Sequence, residues 1–93
     1  MQLARYTVEL RPPEAGWQGL QQATARARQT ADEMEREGAE VRFLRSIFVP
    51  ESDACFFLYE SSSADSVREA ATRAELGVSR IDPVMHLDGK EQS

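Results

Sequence analysis

An α+β fold of βαββαβ order is predicted by three features of this sequence. Four short segments alternate or cluster apolar residues as strands do. Two longer segments space them three and four residues apart, as helices do. The two kinds follow one another as strand, helix, strand, strand, helix, strand. This is the ferredoxin-like split unit, an antiparallel four-stranded sheet ordered 4-1-3-2 with both helices on one face.

Each element can be justified in turn. Residues 2–10 place Tyr6, Val8 and Leu10 on one face and Arg5, Thr7 and Glu9 on the other, a half-buried strand. The prolines of "RPPEAG" (11–16) end it, since proline cannot continue a ladder. From Trp17, apolar or small residues fall at 17, 20, 24, 27, 31 and 34, a helix with a narrow core stripe that Gly38 stops. "VRFLRSIFV" (41–49) is the second strand, "PESDA" (50–54) the turn, and "CFFLYE" (55–60) the third strand. The serines of "SSSADS" cap a second helix over roughly 64–76, with Val67, Ala71 and Ala74 inward and Gly77 as its stop. "RIDPVMHL" (80–87) alternates again, and Pro83 makes it an edge strand. Residues 1–87 thus form one domain and 88–93 a polar tail.

Composition narrows the function classes. The chain has 93 residues, 41% of them hydrophobic and 29% charged, as in an ordinary soluble domain. Its net charge of −5, with arginines interleaved among acids, excludes the basic face of a nucleic-acid binder. No segment approaches the roughly 20 apolar residues of a membrane span, and the first residues lack a signal-peptide layout. A lone cysteine, Cys55, cannot form an internal disulfide, so a cytoplasmic protein is expected. No motif sets a base beside it, which leaves it a small core residue.

The sheet's second face raises the functional question. With Tyr6, Val8, Leu10, Phe57, Tyr59, Ile81 and Met85 under the helices, the other face is expected to carry Arg5, Thr7, Glu9, Leu44, Ser46, Phe48, Phe56, Leu58, Glu60, Asp82, Val84 and His86. Arg45 is discordant, sharing parity with Val41, Phe43, Ile47 and Val49; a bulge in the strand or an arginine reaching the sheet edge would resolve it. Such an apolar patch seldom faces water in a monomer, which predicts a face-to-face homodimer of the α+β-barrel kind. Glu9 and Glu60, read as ending neighbouring parallel strands, are expected near one end of the resulting chamber. Arg5, Glu9 and Ser46 would contact a small ligand there, with Phe48, Phe56 and Leu58 as apolar walls.

Phe43, Leu44 and Ser46, then Tyr59-Glu60, then Val67, Arg68, Glu69 and Ala71, and finally Gly77 and Ile81 form a pattern that resembles a bacterial family of small proteins, DUF4242. "RYTVEL" fits that family's opening strand. The resemblance implies a ferredoxin-like dimeric barrel, and one family member is described as a nickel-binding protein with histidine-rich coordination. This chain departs there: His86 is its one histidine, and Ala70-Ala71 stand where the family has a histidine in the second helix. The donors available to a divalent metal such as nickel are His86, Glu9, Glu60 and Asp82.

Three functions therefore compete. The first is a homodimer binding a small ligand, with a divalent metal as one candidate. The second is a cofactor-independent oxygenase, isomerase or cyclase using Glu60 or His86 as general base, an analogy of fold. The third is a structural or partner-binding dimer without a ligand.

Overall fold

The computed structural model describes residues 3–12 and 15–84. Its elements are β1 (Ala4–Leu10), α1 (Gly16–Arg36), β2 (Val41–Val49), β3 (Ala54–Ser61), α2 (Ala64–Arg73) and β4 (Val78–Val84). The sheet order is β2-β3-β1-β4, the 4-1-3-2 order the sequence predicts, and every neighbouring pair is antiparallel. Pro83 lies on the edge strand β4, opposite Tyr6, the kind of position to which prolines in sheets are confined.

Both helices cover one sheet face. α1 buries Leu20, Ala23, Ala27, Thr30, Ala31 and Met34, and α2 buries Val67, Ala70 and Ala71. The many alanines on these stripes let the helices approach a sheet surface made of large side chains. Val8, Leu10, Val41, Cys55, Phe57 and Tyr59 are buried beneath them, with Phe43 packed edge-on against the rings of Phe57 and Tyr59. Trp17 differs from the expected stripe: it stands 65% exposed in the first turn of α1, beyond the region the helix covers.

Ser63 caps α2 as its side chain accepts a hydrogen bond from the Ser66 N–H at 3.1 Å. Gly38 is left-handed just past α1, as its place in the sequence predicts. Gly77 is not the stop of α2; Glu75 takes the left-handed position two residues earlier (φ 57°), and the helix ends at Arg73.

β2 contains the bulge that Arg45 called for. Phe43 pairs with Tyr59 and Arg45 with Leu58, which leaves Leu44 as the extra residue. Past it, every side chain changes face relative to simple alternation. Ser46 lies opposite Phe57 and Phe48 opposite Cys55, so both belong to the helix side, while Arg45 and Ile47 belong to the open side. The expectation that Ser46 and Phe48 line the open face is thereby corrected.

Candidate functional site on the open sheet face

The register arranges the open face in three rows across the strands. The first is Arg42, Glu60, Arg5 and Val84; the second is Arg45, Leu58, Thr7 and Asp82; the third is Ile47, Phe56, Glu9 and Arg80. Phe56 and Leu58 occupy the middle of the face and are half-buried within one chain. The expected placements of Arg5, Glu9, Phe56, Leu58, Glu60 and Asp82 on this face hold.

Glu9 and Glu60 do not come together. β1 and β3 run antiparallel, with Glu9 opposite Phe56 and Glu60 opposite Arg5. Four residues of strand, roughly 13 Å at 3.3 Å per residue, therefore separate them. The connectivity requires this: the α1 crossover brings β2 back parallel to β1, and the tight β2–β3 turn then reverses the chain. The expectation of two carboxylates at one end is thus overturned.

Each acid has its own surroundings. Glu60, its side chain 23% exposed, lies between Arg5 Nε at 3.8 Å and Arg42 Nη1 at 3.7 Å. Arg42 also reaches Glu35 of α1 at 3.7 Å. An ion pair with Arg5 is one the sequence allows; Arg42 as the second partner was missed, although its parity with Glu60's face was readable. Asp82 is held by Arg80, Nε to Oδ2 at 2.7 Å and Nη2 to Oδ1 at 3.2 Å. These hydrogen bonds and Asp82's charge push the Arg80 guanidinium pKa up, with a smaller contribution from Glu9. Glu9 makes no ion pair among the described residues. Beside Glu60, a depression of about 350 Å³ is lined by Leu3, Ala4, Arg5, Glu60 and Val84.

The donor set is a poor fit to nickel. Among the described residues, no three His, Cys, Asp or Glu side chains gather as a metal-binding group. Two of the three candidate acids are engaged by arginines, and His86 lies outside the described residues, as do Met85, Leu87 and the tail. On the helix side, Cys55 is fully buried, and its thiol pKa is raised first by that burial and then by the charge of Asp53. This opposes the thiolate that a nucleophile or soft-metal ligand needs.

A sequence profile of the family described as "Nickel responsive protein SCO4226-like" matches residues 6–84. The chain belongs to the SCO4226-like family. The DUF4242 resemblance of its motifs is compatible with this family. Among solved structures, it is similar to SCO4226 from Streptomyces coelicolor A3(2), with a TM-score of 0.66, 23% identity, and coverage of 91% of this chain and 100% of that one. At that identity the likeness establishes the shared fold. No curated protein sequence matches this SCO4226-like chain. Among its described residues, no helix is long and apolar enough to cross a membrane.

Proposed function

We propose that this SCO4226-like protein is a homodimer whose open sheet faces pack together and enclose a chamber for a small ligand. The observation that carries the reading is the half-buried Phe56–Leu58 centre, set in rows with Ile47, Thr7 and Val84 and bordered by Arg5, Glu60, Arg80 and Asp82. Phe56, Leu58, Ile47 and Val84 would supply apolar walls to a small molecule, and the seven charged side chains of the three rows would orient it. A second copy would cover the apolar centre; Arg5, Glu60, Arg80 and Asp82 are already paired within each chain, whereas Glu9 and Arg45, with no ion pair among the described residues, would need partners across the interface.

Nickel enters this reading through the family description alone. One chain's described acids do not assemble for it, so a nickel site in this protein would draw on both copies and on His86, two residues beyond β4. Native mass spectrometry with and without nickel tests this directly. The expected result is a dimer that takes up nickel and loses it in His86→Ala. A dimer that takes up none leaves an organic molecule as the occupant.

A structural dimer without ligand is the second reading, favoured by the placement of Glu60 between two arginines rather than free in the chamber. The same placement weighs against Glu60 as a general base, which must be free to accept a substrate proton.

A further inference from the structure

Of the charged side chains on the open face, all but two are engaged within the chain. Glu60 lies between Arg5 and Arg42, and Asp82 is held through both oxygens by Arg80. Arg45 and Glu9 are left, one of each sign, and neither makes an ion pair among the described residues. Arg45 stands on β2 in the second row and Glu9 on β1 in the third, with β3 between them. Two strand spacings and one row step set them roughly 12 Å apart, too far to pair within one chain. Glu9 is already half-buried in a single chain, so covering this face without giving it a partner is costly.

We propose that Arg45 of one copy pairs with Glu9 of the other, twice per dimer, and that these two ion pairs set how the sheets cross. The inference rests on the open-face dimer proposed above and fixes the orientation of its copies.

The positions of the two residues about the apolar centre carry this. The midpoint of the line from Arg45 to Glu9 falls over β3, between Leu58 and Phe56. Consider a two-fold axis that lies between the sheets, passes over that midpoint and runs at right angles to that line. It lays the Phe56–Leu58 centre against its own copy, Phe56 toward the partner's Ile47 and Leu58 toward the partner's Thr7. The same rotation carries Arg45 over the partner's Glu9, and Glu9 over the partner's Arg45. Packed sheets stand about 10 Å apart, a gap that an arginine and a glutamate reaching toward each other can close. An axis running along β3 would cover the same centre but set Arg45 over Thr7 and Glu9 over Ile47, leaving both charges buried alone. An axis crossing over Arg45 or Glu9 itself would set that charge against its own copy. A second copy of this chain is the occupant these positions select, because one rotation brings the missing sign over both residues.

Charge exchange tests the pairing, with sedimentation equilibrium to measure association and native mass spectrometry to identify each dimer by mass. Arg45→Glu alone brings two carboxylates together at both sites, and Glu9→Arg alone brings two guanidinium groups together. Each is expected to raise the dimer dissociation constant by about tenfold or more over wild type. Mixing the two variants should restore association as a heterodimer, since both of its sites then join opposite charges. The double variant should dimerise as wild type does.

Single variants that dimerise as tightly as wild type, with no preference for the heterodimer on mixing, would overturn the inference. So would a mixture that stays monomeric while the double variant dimerises, because the two residues would then pair within one chain. In both cases wild type is still a dimer and the open-face reading stands. A wild type that is monomeric sinks that reading, and this inference with it. Should a charge-reversed variant fail to fold, Arg45→Gln and Glu9→Gln decide. Each should weaken the dimer, and the two combined should weaken it no more than the larger single loss, since both remove the same pair. Losses that add would overturn the inference.

Discussion

Tyr59 is fully buried on the helix side of β3, and its hydroxyl has no hydrogen-bond partner among the described residues. Burial raises its pKa well above the ordinary 10.0, since a phenolate there would lose its hydration. The ring supplies what the core uses, packing edge-on against Phe43. Tyr59→Phe is therefore expected to stabilise the protein by about 1 kcal/mol at neutral pH, as it removes a desolvated group without removing a bond. The pH dependence has a definite sign. A tyrosine whose folded pKa is raised contributes stability that is intact below its unfolded pKa. That stability falls as pH rises, because the unfolded chain releases the proton first. Urea titrations of wild type should thus show a midpoint that declines above about pH 10, while Tyr59→Phe declines less. A variant that is destabilised at neutral pH would mean that the hydroxyl has a partner after all. Glu60 illustrates the opposite case, a carboxylate whose setting is defined by two guanidinium groups from neighbouring strands.

The two helices end in the same way. After α1, Ala39 N–H donates to Met34 O and Gly38 N–H to Glu35 O; after α2, Leu76 N–H donates to Ala71 O and Glu75 N–H to Thr72 O. Both are Schellman motifs, yet only the first has glycine in the left-handed position. Glu75 holds that conformation against the clash of its own Cβ. Glu75→Gly should relieve it and stabilise the fold by about 0.5–1 kcal/mol after the entropy glycine adds to the unfolded chain. Equilibrium unfolding checks this; a variant less stable than wild type would show that Glu75 makes a compensating contact.

Element order and sheet order were legible because period and punctuation are local signals. The faces of β1, β3 and β4 followed from parity alone. Parity failed in β2, where the extra Leu44 is defined by the register against β3 and not by β2's own sequence. Ser46 and Phe48 changed face with it, and Ile47 went unrecognised as an open-face residue. Trp17 was misread for a related reason: helical spacing continues to the end of α1, but the layer beneath it does not. The supposed closeness of Glu9 and Glu60 was an error of strand direction, which the crossover and the turn together could have corrected.

At the scale of the molecule, the sheet is asymmetric. One face is sealed by α1 and α2 over Val8, Phe57 and Tyr59, each fully buried. The other holds Phe56 and Leu58 half-buried, with arginines and acids around them and, among the described residues, no element laid across. Covering large apolar side chains is worth about 1.5–3 kcal/mol each when complete, which gives a second copy reason to bind there. The proposed dimer and the proposed chamber both rest on this face, so its pairing is the claim on which the functional account depends.

Sedimentation equilibrium of dilute wild-type protein and of Phe56→Glu tests that pairing most directly. The account predicts wild type at twice the 10.4 kDa chain mass and Phe56→Glu, still folded by circular dichroism, at the mass of a single chain. A monomeric wild type, or a folded Phe56→Glu that remains a dimer, would contradict it.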